Sequence, residues 1–151
     1  MRNSRSLGWL AWVVGCGVVT VGQLAWNAHA FQGSAKPGRV FFIEPKDGAT
    51  VKSPVHLKFG VENFTISPVP QGTVDKARPG VGHHHVGVDA DCLAPGQVIP
   101  KASPWVHFGD GKNEIDMQLP PGRHKLALEI GDDEHRTQPG LCTTITVNVA
   151  P

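Results

Sequence analysis

Val55-His56-Leu57-Lys58-Phe59-Gly60-Val61 alternates apolar and polar residues, and a period of two, not three and a half, marks a half-buried strand. Val55, Leu57, Phe59 and Val61 share the side turned to a core, while His56 and Lys58 interleave on the other. The same alternation returns in Ile115-Met117-Leu119, Leu126-Leu128-Ile130 and Ile145-Val147-Val149. Val40 to Ile43 reads as a shorter, more buried strand. Pro and Gly punctuate the gaps at Pro45-Lys46-Asp47-Gly48, Pro79-Gly80, Pro95-Gly96, Pro120-Pro121-Gly122 and Pro139-Gly140, each a turn former. About seven strands are expected, over 39–43, 54–61, 83–89, 104–108, 113–119, 123–130 and 142–149. From residue 31 onward no segment carries a helical stripe. The pattern favours an all-β fold, a small antiparallel sandwich of immunoglobulin type, over a closed barrel.

Outward from this core, residues 31–38 read as a flexible lead-in to a single domain over 39–150. Residues 1–30 read as an export leader. Arg2 and Arg5 precede an uncharged stretch from Leu7 to Ala28, and Ala28-His29-Ala30 forms a small-x-small cleavage signal. Two other readings fall on the same residues: a retained membrane anchor, and lipid attachment at Cys16 within Val13-Val14-Gly15-Cys16. Cleavage near Ala30 leaves 121 residues with 12 Lys and Arg against 13 Asp and Glu. A chain so nearly neutral has no basic block to attract nucleic acid, and its mature form has no membrane span.

Removing the leader also leaves two cysteines, Cys92 and Cys142, an even number in an oxidising compartment. One disulfide is expected, closing a loop of about 50 residues and contributing on the order of 3–4 kcal/mol through the unfolded state. The competing reading makes both thiols soft metal ligands, against which stands the absence of a Cys-x-x-Cys pair.

The chemistry concentrates in Gly80-Val81-Gly82-His83-His84-His85-Val86-Gly87-Val88-Asp89. Strand parity divides the triplet: His84 goes inward with Val86 and Val88, whereas His83, His85, Gly87 and Asp89 face the other way. Side chains two apart on one face are spaced so that two imidazoles can close on one cation. Gly87 is expected to leave open space over that face. His107 takes the outward parity between Val106 and Phe108, and His135 lies in the polar loop Gly131-Asp132-Asp133-Glu134-His135-Arg136. His83, His85 and His107 are thus expected to converge, with His135 or His84 completing the set. The acidic residues beside His135 would orient it as acceptors behind the ring. His84 also reads as a buried, hydrogen-bonded histidine, and solvated or edge positions account for His56 and His124. Each histidine taken singly is equally compatible with a hydrogen bond to a backbone carbonyl. The long connections 62–82 and 90–103 flank the His strand, where functional loops commonly sit.

Gly82-His83-His84-His85-Val86-Gly87-Val88-Asp89, His107-Phe108-Gly109-Asp110-Gly111 and Leu119-Pro120-Pro121-Gly122, followed by Gly131-Asp132 and His135, resemble an uncharacterised bacterial secreted family, domain of unknown function 4399. The resemblance covers roughly residues 39–149, beginning at Phe42-Ile43-Glu44-Pro45-Lys46-Asp47-Gly48-Ala49-Thr50-Val51. It implies a periplasmic immunoglobulin-like domain and no established activity. A weaker likeness, carried by His29-Ala30 and Pro45-Lys46-Asp47-Gly48-Ala49, is to periplasmic copper-resistance carrier proteins.

Three functions are compatible with these residues. The leading one is a non-enzymatic periplasmic metal-binding protein for buffering or delivery. Imidazoles suit copper(II) or zinc, and with its two remaining cysteines oxidised and Met117 on a core-facing parity the mature chain has no usable sulfur ligands. The second is a module that binds a cell-envelope protein or glycan without metal. The third is a metalloenzyme in which Asp132, Asp133 or Glu134 serves as base beside a metal-bound water.

Overall fold

In the computed structural model, which describes residues 36–151, the alternating segments become strands and no helix forms among the described residues. The leader, Cys16 and His29 lie outside the described residues. Nine strands follow in order: β1 (Arg39–Glu44), β2 (Thr50–Val51), β3 (Val55–Glu62), β4 (Thr65–Ile66), β5 (Val81–Val88), β6 (Trp105–His107), β7 (Glu114–Met117), β8 (Gly122–Gly131) and β9 (Thr137–Val149). The two strands beyond the expected seven, β2 and β4, are two residues long and show no alternation to read. Both pair parallel, β2 with β9 and β4 with β5, in an otherwise antiparallel structure.

One sheet has the order β1-β3-β7, and the other runs β2-β9-β8-β5-β4 with β6 also on β5. A single cluster joins them: Val40, Phe42, Val55, Leu57, Phe59 and Met117 from the first, with Val86, Leu126, Leu128, Ile130, Val147 and Val149 from the second. Phe59 stands at its centre, edge-on to Phe42 at 5.7 Å and to Phe108 at 5.5 Å. Each such side chain contributes about 1.5–3 kcal/mol on burial, so the alternation visible in β3 is also what holds the two layers together.

Two expectations about the second sheet need correction. Pro139-Gly140 does not end a strand but bulges within β9: Gly131 pairs with Thr137 and Glu129 with Cys142, so the longer run on β9 is pushed outward. The face carrying His83 and His85 is not open either. Within the β5–β6 connection, residues 90–104 fold back across it and place Ile99 on Ala127 beside Trp105 of β6, with Ala90 and Leu93 at the margin. Gly87 faces no empty space, because a Cβ there would lie 3.0 Å from Ala90 and 3.1 Å from the Trp105 ring. Both faces of β5 are therefore buried, as a strand read from parity alone would not be.

The covering segment is tied down along its length. The Cys92–Cys142 disulfide anchors one end to β9. Beyond it, Thr137 Oγ1 donates to Ala94 O at 2.7 Å, Thr137 N to Gln97 O at 2.8 Å, and Ile99 N to His135 O at 2.8 Å. No helix among the described residues is long and apolar enough to cross a membrane.

Candidate metal centre

The register of β5 decides which imidazoles meet. His85 pairs with His107 of β6 on one edge and with Glu129 of β8 on the other, while His83 pairs with Gly131. Directly opposed residues project to the same side of a sheet. His83, His85 and His107 therefore share the face beneath the covering segment. His135 reaches the same place from the β8–β9 loop. There Asp132 Oδ1 accepts from Glu134 N and Arg136 N, both at 2.9 Å, and His135 N donates to Asp132 O at 2.8 Å. The turn holds His135 at a φ of 64°, a left-handed conformation uncommon for residues other than glycine.

One ligand atom from each of His83, His85, His107 and His135 lies within 4.8 Å of all the others, so this group could hold a metal ion. The ring centroids of every pair are between 4.6 and 5.6 Å apart. His107 Nε2 lies 3.0 Å from His83 Nε2 and 2.9 Å from His135 Nε2. A ring nitrogen carries either one proton or one lone pair, so it serves one hydrogen-bond partner well. His107 Nε2 has two. Neither nitrogen of His85, nor Nδ1 of His83, has any partner, although all are buried. For comparison, nitrogens about 2.0–2.1 Å from a tetrahedral ion are spaced about 3.3 Å apart.

Electrostatics keeps these rings in the form a cation needs. Burial, then the neighbouring imidazoles, pushes His83 down to about 3 and His85 to about 2. Burial and the nearby charge of Lys101 push His135 down to about 4 and lower His107 as well. All four shifts favour the neutral ring, the form with a lone pair available.

Two glycines make room for the rings. A Cβ on Gly131 would lie 2.7 Å from His85 Cε1, and one on Gly109 would lie 2.3 Å from His107 Cε1. Neither glycine has a left-handed backbone, so space and not conformation requires them.

His84 is not among the four. It points into the main core with its ring 5.2 Å from Phe59, and its Nδ1 lies 3.1 Å from Lys112 O. That is the buried, hydrogen-bonded role parity had offered it. His56 is exposed and 2.8 Å from Asp116 Oδ1. His124 departs from the edge position expected of it: it is buried between Asp89 Oδ2 and Pro120 O, each 2.9 Å away.

The acidic residues beside His135 serve the loop rather than the rings. Asp133 is buried and takes Arg78 Nε at 2.8 Å and Nη2 at 2.8 Å, which holds its carboxyl down at about 2. Asp132 caps the turn, Glu134 is exposed, and none of the three accepts a hydrogen bond from the four imidazoles. Arg78 was invisible in the sequence because its partner is 55 residues away. Glu129 escaped notice for another reason. It occupies the polar parity of β8, which reads as solvent until the covering segment is known; in fact it is buried and accepts from Leu93 N at 3.1 Å. Burial pushes its carboxyl upward.

Residues 57–150 match the family model described as "Domain of unknown function (DUF4399)". No curated protein matches the chain. Among solved structures it is similar to the X-ray structure of the endo-beta-1,4-mannanase from Thermotoga petrophila, with 19% identity and a TM-score of 0.41 over 76% of this chain. The chain spans 20% of that structure's length.

Proposed function

We propose that this chain, which belongs to the DUF4399 family, is a periplasmic metal-binding protein that holds copper(II) or zinc through His83, His85, His107 and His135 for buffering or delivery. One observation carries the reading: His107 Nε2 sits within 3.0 Å of two other imidazole nitrogens. A ring nitrogen serves only one hydrogen-bond partner well, whereas a shared cation would engage all three nitrogens at once.

The donor set supports the choice of ion. Four neutral imidazoles suit zinc and copper(II), and among the described residues no sulfur competes, because Cys92 and Cys142 are bonded to each other and Met117 is buried in the main core. The disulfide also fits an oxidising compartment, in keeping with an export leader at residues 1–30.

Isothermal titration of residues 31–151 with Zn2+ and with Cu2+ tests the proposal. Binding much tighter than millimolar at one ion per chain, abolished in H83A/H85A, is the expected result. Absence of binding, or unchanged affinity in that variant, overturns it. Elemental analysis of protein taken from its native compartment separates zinc from copper.

A further inference from the structure

Glu129 stands directly across the sheet from His85. Such partners project to the same side with Cβ atoms about 5 Å apart, so Glu129 shares the covered face with His85, and its hydrogen bond from Leu93 N holds the carboxyl beneath the Cys92 end of the covering segment. Only 1% of the residue is exposed. Its hydrogen bond comes from Leu93 N, and among the described residues no Lys or Arg pairs with it. Asp133, the other buried carboxylate near the cluster, is already neutralised by Arg78 at 2.8 Å.

A buried carboxylate with no positive partner is costly. So is a dication taken into the interior by four uncharged rings. Each supplies what the other lacks.

We infer that Glu129 is the counter-charge of the metal centre and biases it toward divalent over monovalent cations, an inference that rests on the metal-binding reading above. It acts through space rather than as a ligand, since it stands outside the group of four that can share one ion. The attraction between a carboxylate and an ion scales with the ion's charge. Deleting the carboxylate therefore weakens a dication by about the square of the factor by which it weakens a monocation.

Chelator competition with Zn2+ and with Ag+ on the wild type, E129Q and E129D tests this. E129Q removes the charge but keeps the side chain's size and an oxygen for Leu93 N. Its Zn2+ affinity is expected to fall roughly 10- to 100-fold, the range usual for residues behind metal ligands, and its Ag+ affinity by only about 3- to 10-fold. E129D retains most of the divalent preference. Equal losses for the two ions, which mark a purely geometric role, or no loss at all, overturn the inference. If E129Q does not fold metal-free, refolding with each ion and displacing it with chelator reads the same ratio. A wild type that binds neither ion overturns the metal reading and this inference together, and that result is visible before any variant is made.

Discussion

Gly131 and Gly140 lie nine residues apart and are glycines for opposite reasons. At Gly131 the backbone would accept any residue, but His85 occupies the space a side chain would fill. At Gly140 there is open space, but a φ of 73° disfavours a Cβ. G131A is therefore expected to weaken Zn2+ binding on the order of tenfold with the fold retained. G140A should cost about 1 kcal/mol of stability and leave affinity unchanged; chelator competition and thermal unfolding on both variants read the contrast. Acid sensitivity also belongs to single residues. His83, His85 and His135 are depressed to about 3, 2 and 4 from an ordinary value of 6.5. Between 6.5 and those values the unfolded chain binds protons that the folded domain refuses, so stability falls as pH falls. Thermal unfolding in chelator is expected to show Tm dropping from pH 7 toward pH 4.5, and a flatter profile in H83A/H85A. His124 has the opposite sign. Asp89 raises it, so its contribution is complete below 6.5 and is lost as pH rises through its folded value.

Among the elements, β5 was the most legible. Its parity alone separates His83 and His85 from His84, because alternation is a local property of an extended backbone. The loop Asp132–Arg136 was legible only as polar. Beside His135 in that loop, Asp133 is held by Arg78, which arrives from the β4–β5 connection. R78M is therefore expected to leave Asp133 buried without its partner, lower Tm and weaken Zn2+ binding at least as much as G131A. A normal affinity in R78M would show that the loop holds its shape without the clamp. The two-residue strands β2 and β4 and the bulge at Pro139-Gly140 were not legible, since each is set by the strand it lies against rather than by its own pattern.

At the scale of the whole molecule, the two sheets share one core and the histidine cluster lies on the far side of the larger sheet, covered by residues 90–104. The disulfide holds that cover to β9. C92S/C142S is expected to lose on the order of 3–4 kcal/mol of stability and to release bound Zn2+ to a chelator faster, as stopped-flow measurement would read; an unchanged release rate would place the barrier elsewhere. The amino-acid order alone contained the all-β class, most strand positions, the pairing of Cys92 with Cys142 and three of the histidines that meet, with the fourth left between His135 and His84. Those follow from period, composition and residue chemistry, which act locally. The burial of the His83–His85 face, the roles of Glu129, Arg78 and Gly131, and the bridging position of His124 came from folding. Each depends on a contact between segments far apart in the chain, and the periodicity of one strand carries no information about what will be laid across it.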